Sequence, residues 1–185
     1  VRDYAGPWLI LRPGAVYGPG DETVSMLLKM VRTLPAVPVV AEGEQPFQPI
    51  WFRDLGRAIA DAMVRPELDR TVLDLAGPDL TTTTDLLDRL AQITGRTPPR
   101  LAVPAWLARF GTNALEAFGG WGARLLEHTQ VGTPLTSAKL QMLLEGNVIP
   151  DERRNALFSV FHQPGTGLQD GLEQLADLLP ELTPG

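Results

Sequence analysis

The stretch Trp8-Leu9-Ile10-Leu11-Arg12-Pro13-Gly14-Ala15-Val16-Tyr17-Gly18-Pro19-Gly20-Asp21 decides how the rest of this chain is read. It opens with four consecutive apolar residues, too few for a helix and flanked on both sides by glycine and proline. That run predicts a strand, Trp8 to Leu11, buried on both faces as inside a parallel sheet. Pro13 removes a backbone donor and ends the ladder. Gly14, Gly18, Pro19 and Gly20 then force a sharp turn. Ligands of open α/β sheets sit at the carboxyl ends of strands, so this turn is the first place to look for chemistry.

Downstream, Asp21-Glu22-Thr23 suits a helix start, with acid near the positive end of the dipole. Met26, Leu27, Met30, Val31 and Leu34 follow at helical spacing until Pro35. Val37-Pro38-Val39-Val40 reads as an edge strand because of its proline. Ile50-Trp51-Phe52 predicts another short strand, and Asp54 an N-cap for a helix from Leu55 to Val64 with Leu55, Ile59 and Ala62-Met63 as its core face. Thr71 to Leu75 predicts a second buried strand, and Asp85 to Thr94 a helix closed by Gly95. Leu101-Ala102-Val103 is a short strand. Helical patterns then begin at Trp106, Trp121, Ala138 and Leu168. Strands alternating with helices give an α/β class, but only two strands look central, and two do not make a free-standing doubly wound sheet.

Composition narrows the function. The chain has 185 residues, within the range of one domain. A formal net charge of −6 leaves no basic stripe to neutralise phosphates, which argues against nucleic-acid binding. Without cysteine there is no disulfide framework, thiolate metal site or Cys nucleophile. His128 and His162 are far apart in sequence, so no metal is expected. No apolar run approaches the ~20 residues of a transmembrane helix, and the expected location is cytoplasmic.

Leu11-Arg12-Pro13 followed by Val16-Tyr17-Gly18-Pro19-Gly20-Asp21 resembles the sixth-strand motif of extended short-chain dehydrogenase/reductases. More narrowly, it resembles the epimerase/dehydratase-like branch that includes the NAD(P)H-binding accessory subunit of respiratory complex I. Two further segments are similar to that branch, Phe47-Gln48-Pro49-Ile50-Trp51-Phe52-Arg53-Asp54-Leu55 and Leu73-Asp74-Leu75-Ala76-Gly77-Pro78. The resemblance covers about residues 1 to 104, and the tail loosely from Pro134 to Val148. It implies the C-terminal portion of a Rossmann-like NAD(P)-binding fold, with the last parallel strands and a small, mostly helical substrate-binding domain. Residues 1–20 and 55–78 would be the Rossmann elements, and 21–54 and 79–185 the substrate-binding part.

Two family features have no counterpart in these residues: the Gly-x-x-Gly-x-x-Gly cofactor turn and the Tyr-x-x-x-Lys acid/base pair. Tyr4 has Trp8, not lysine, four residues on. The resemblance puts the pair on a helix whose last turn corresponds to Val1-Arg2-Asp3, so no catalytic residue is expected in this chain and the acid/base groups are expected upstream of Val1. The reading is therefore the substrate-binding part of an oxidoreductase or epimerase that uses NAD or NADP, inactive alone. The alternative is a non-catalytic NAD(P)H-binding assembly or sensor protein. Either way the expected partners are a small-molecule substrate and the missing N-terminal half or further copies of the chain.

The resemblance places Pro13, Gly14, Ala15 and Val16 on the cofactor side. It places Tyr17, Lys29, Phe47, Gln48 and Trp51 toward the substrate. Gln48 can both donate and accept, which suits an uncharged polar substrate. Relatives acting on nucleotide-diphosphate sugars carry an arginine in this loop, where a planar bidentate donor holds the diphosphate. From Ala41 to Ile50 there is none, which disfavours a nucleotide sugar, though Arg53 or Lys29 could substitute. Arg12 is expected to pair with a local carboxylate, and the aromatic residues Trp106, Phe110, Phe118 and Trp121 to serve a core or a subunit interface.

Overall fold

A computed structural model describes residues 1–21, 23–40, 46–103, 148–149 and 155–179. The architecture is α/β with parallel strands. In order the elements are β1 (Leu9–Pro13), β2 (Val16–Tyr17), α1 (Val24–Thr33), β3 (Val37–Val40), β4 (Ile50–Trp51), α2 (Phe52–Ala62), β5 (Thr71–Leu75), α3 (Thr83–Thr94), β6 (Arg100–Val103), α4 (Ala156–Ser159) and α5 (Leu168–Leu178). The expected helices at Trp106, Trp121 and Ala138, with the aromatic stripe they carry, lie outside the described residues.

Three parallel pairs organise the strands: β1 with β5, β2 with β4, and β3 with β6. In the first, Leu9 faces Thr71 and Pro13 faces Leu75. The ladder is fastened at both ends, by the Arg70 amide donating to the Trp8 carbonyl at 2.6 Å and the Gly14 amide donating to the Leu75 carbonyl at 2.7 Å. Pro13 thus stays inside the strand, because the residues bonded to β5 alternate and proline falls on the other edge. Among the described residues that other edge of β1 is unpaired.

The pleat sorts this pair into two faces. Leu9, Leu11, Leu73 and Leu75 join a core built with Ile50, Leu55, Ala58, Ala62, Ala156, Leu157 and Phe161. Ile10, Val72 and the ion pair of Arg12 with Asp74 (2.7 Å) share the opposite face by alternation. That corrects the expectation of a strand buried on both faces. Leu9, Ile10 and Leu11 are each only half-buried, since the helices described against the sheet cover one side.

A second core gathers Tyr17, Phe47 and Trp51 with apolar residues of α1, β3, α3 and α5. Helix α1 is opened by Asp21, whose carboxylate accepts from the amides of Thr23 (2.8 Å), Val24 (2.6 Å) and Ser25 (3.0 Å) and from the Ser25 hydroxyl (2.6 Å). Helix α3 has the Thr82 hydroxyl accepting from the Asp85 amide, and Gly95 in the left-handed region at its end, φ 66°.

Helix α2 departs from expectation. It begins at Phe52, not Leu55, so Asp54 lies in the first turn and is no cap. Its buried face is Asp54, Ala58 and Ala62, while Ile59 and Met63 point to solvent. The register is set by β4, which delivers Trp51 inward and thereby rotates the helix that follows directly.

The Asp85 carboxyl is held below its ordinary range, first by the hydrogen bond from the Thr81 hydroxyl (2.7 Å) and then by Arg89 (2.9 Å), against an opposing effect of burial. A lowered folded-state value stabilises the fold above the ordinary aspartate range and is lost as pH falls through the folded-state value. Acid unfolding should therefore steepen below about pH 4. Asp85→Asn should flatten that limb and lower stability at neutral pH by the same small amount, because the side chain is substantially exposed. An unchanged acid limb in the variant would show that other carboxylates govern it.

Candidate functional site

The three segments that carry the sequence motifs meet at the carboxyl ends of β1 and β5. Beyond the Gly14 bond to Leu75, the Ile50 amide donates to the Ala15 carbonyl at 2.8 Å, and Gln48 Nε2 donates to the Gly77 carbonyl at 2.9 Å. Phe47 and Thr81 exchange two backbone hydrogen bonds of 2.9 Å, so the 47–50 segment is also tied beyond β5. Crowding explains the glycines. A Cβ on Gly14 would lie 3.1 Å from the Gln48 carbonyl, and one on Gly77 would overlap the Pro49 carbonyl oxygen. At Gly77 only the absence of a side chain permits the approach.

Around this junction the expected residues separate into two sets. Pro13 and Val16 are exposed, and Gly14, Ala15 and Gln48 are half-buried. Tyr17, Phe47 and Trp51 are core residues. Tyr17 and Trp51 are each 1% exposed, with ring centroids 5.0 Å apart. In this conformation none of the three presents a side chain to a ligand, because the β2–β4 pair turns Tyr17 and Trp51 toward α1 and α5. Lys29 lies on α1, half-buried, and no hydrogen bond or ion pair among the described residues joins its side chain to the junction.

Val1 begins the segment that leads to β1. Its side chain is exposed and its carbonyl accepts from the Tyr4 amide at 2.9 Å, closing a turn that holds the segment leading to β1. In place of the helical turn expected over Val1-Arg2-Asp3, the residues before β1 form turns and bends, because Gly6 and Pro7 follow so closely that a helix cannot propagate.

Tyr17 is unusual as a core residue. Its hydroxyl is buried without a hydrogen-bond partner among the described residues and lies against Gly171 of α5, where a Cβ would overlap it. Burial pushes its ionisation far up, and the charges of Asp54, Asp79 and Asp170 push it further. It stays a neutral phenol and is no proton acceptor at neutral pH.

Sequence reading alone missed the contribution of the C-terminal segment. Asn155 accepts from the Ala76 amide (3.2 Å) and donates to the Ala76 carbonyl (2.7 Å), pinning the chain as it leaves β5. Asp54 accepts from the Thr166 amide and Asp79 from the Leu168 amide, both at 2.6 Å. Arg32 of α1 donates to the carbonyls of Ala176 (2.9 Å) and Leu179 (3.0 Å) at the end of α5. Residues 155–179 thus bind both cores and hold the junction's underside. The advance signals were Asn155 and Gly167-Leu168 as helix starts. Among the described residues no group of His, Asp and Glu could hold a metal ion, and no helix is long and apolar enough to cross a membrane.

No family model matches the sequence, and no curated protein does. Solved structures do match in fold. The UDP-glucose 4-epimerase of Thermotoga maritima, solved with UDP-glucose, superposes with a TM-score of 0.64 at 18% identity, over 95% of this chain and 47% of its own. The UDP-glucuronic acid 4-epimerase of Bacillus cereus, with UDP-glucuronic acid and NAD, gives 0.62 at 18%, over 95% and 46%. The dTDP-glucose 4,6-dehydratase of Bacillus anthracis, with NAD, gives 0.59 at 14%, over 91% and 43%. This chain spans less than half the length of those enzymes. In fold it is similar to that share of these two epimerases and the dehydratase.

Proposed function

We propose that these residues form the substrate-side part of an NAD(P)-dependent oxidoreductase or epimerase, one that transfers hydride between nicotinamide and a carbon bearing a hydroxyl or carbonyl. The observation that carries this reading is the junction of three loops at the carboxyl ends of two parallel strands, Gly14 on Leu75, Ala15 on Ile50 and Gln48 on Gly77. Ligands of α/β sheets bind at such ends, and solved proteins of this fold are complexed with NAD. The backbone of Pro13 to Val16 meets the cofactor, and Gln48, whose amide donor is engaged by Gly77, offers its carbonyl oxygen to an uncharged polar substrate. The loop from Ala41 to Ile50 lacks arginine, which disfavours a nucleotide sugar, although Arg53 or Lys29 could supply the cation.

Acid/base chemistry comes from groups other than Tyr17, which is neutral and covered. The open edge of β1 is where a further parallel strand of the dinucleotide-binding half adds. The same burial of Tyr17 favours a second reading, a non-catalytic NAD(P)H-binding assembly or sensor protein. The test is titration of the chain with millimolar NADH and separately with UDP-glucose, following backbone amide resonances. Shifts at Gly14, Ala15, Val16 and Gly77 with NADH, none there with UDP-glucose, and no turnover are expected. Turnover by the chain alone, or NADH shifts confined to other surfaces, would overturn the proposal.

A further inference from the structure

From Gly56 onward, helix α2 carries an outward face that nothing among the described residues covers. Ile59 and Met63 are exposed along it, Met63 by 82%, and Val64 follows at 75%, while Phe52 at its start is partly covered by Gly18 and Trp51. Gly56 and Ala60 lie exposed between them. The spacing 52, 56, 59, 60, 63 is one helical stripe, about 18 Å long from Phe52 to Val64 at 1.5 Å per residue. A surface helix of a monomer normally shows polar residues there, and a contiguous apolar face marks an interaction site.

The charges around the stripe select its occupant. Three of the flanking groups are satisfied within the molecule: Arg57 pairs with the buried Asp54 at 3.7 Å, and Asp61 with Arg65 at 2.7 Å. Two are not. Arg53, at the N-terminal end, sits over the Phe52 ring at 5.6 Å and has no carboxylate partner among the described residues. Glu67, just past the C-terminal end, is exposed and likewise without a partner among them. A positive charge at one end and a negative charge at the other is self-complementary under a two-fold axis, which brings each end to the opposite end of a second copy. The same antiparallel arrangement opposes the helix dipoles favourably. The small residues Gly56 and Ala60 at the centre let two helix backbones approach closely.

We propose that α2 is a self-association surface, on which a second copy of this chain docks its own α2 antiparallel, with Arg53 of each copy against Glu67 of the other. This surface is independent of the nucleotide reading, because none of these side chains belongs to the loop junction. The test is sedimentation equilibrium of the chain with four variants. The wild type should be a dimer at micromolar concentration. Ile59→Glu should be monomeric with an unchanged circular dichroism spectrum, since Ile59 is already 44% exposed and its replacement leaves the core intact. Arg53→Glu and Glu67→Arg should each weaken the dimer about tenfold, each reversing two rim pairs of modest strength. The double variant Arg53→Glu/Glu67→Arg should return to within about threefold of wild type by the same pairing. A monomeric wild type would overturn the proposal. So would association that survives Ile59→Glu, which would assign it to the open edge of β1. Failure of the double charge reversal to restore affinity would also overturn it, since only the antiparallel pairing predicts that rescue.

Discussion

Replacing Gly77 with alanine is expected to cost about 3–4 kcal/mol or more, the largest effect of any single methyl addition in this fold. The added Cβ would overlap the Pro49 carbonyl oxygen, and its next contacts are the Pro49 carbonyl carbon at 3.0 Å and the Ile50 Cα at 3.4 Å. All three are backbone atoms, so no rotamer change relieves the clash. The 47–50 segment cannot retreat cheaply, because Phe47 is tied to Thr81, Ile50 to Ala15 and Gln48 to the Gly77 carbonyl itself. Against a total stability of about 5–15 kcal/mol for a domain, the loss should move the urea midpoint by more than 1 M, taking about 1–3 kcal/mol per molar for the slope. The same movement would part Gly14 from Gln48 and open the loop junction. A midpoint within a few tenths molar of wild type would mean that the loops slide freely past one another.

The second large effect is expected at Gly171, and its size depends on Tyr17. In the wild type, Gly171→Ala should destabilise by about 2–3 kcal/mol through overpacking, because the new methyl overlaps the buried Tyr17 hydroxyl. This happens although alanine is the better helix former by about 1 kcal/mol. Tyr17→Phe alone should be neutral or stabilising by about 1 kcal/mol, because it deletes a buried hydroxyl that has no partner among the described residues. In the double variant the methyl still meets the ring carbon at 2.8 Å, so relief is partial. A double-mutant cycle from thermal or urea unfolding should give a coupling of about 1–2 kcal/mol in favour of the pair. Independent, additive effects would show that α5 is not seated on Tyr17. A destabilising Tyr17→Phe would show that the hydroxyl has a partner in solution.

Much of the candidate site is legible in the sequence, for a definite reason. Gly14, Gln48 and Gly77 sit in segments dense with glycine and proline beside apolar runs, and such segments have few readings besides turns at strand ends. The aromatic residues were not legible in the same way. Tyr17, Phe47 and Trp51 lie in or beside those same turns, yet whether a side chain in a two-residue strand faces the core or the cleft is set by the partner strand. Asp54 shows the same limit from another side. An acid before Leu55 reads as a cap, but its carboxylate accepts from Thr166, 112 residues away, and no local pattern carries that information.

By itself the sequence determined the parallel strands β1 and β5, the turn between Gly14 and Gly20, and the closing of α1 at Pro35 and α3 at Gly95. These follow from local rules: apolar run length, the missing proline N–H, and the backbone freedom of glycine. Only the tertiary structure decided which side of α2 is buried. From Ala58 to Val64 all residues but Asp61 are apolar or small, so the helical period leaves more than one face possible, and the choice falls to the direction in which β4 delivers the chain. Only the tertiary structure, too, brought residues 155–179 beneath the loop junction. Asn155 on Ala76 and Gly171 on Tyr17 are contacts between residues far apart in sequence, and their energy exists once both cores have formed.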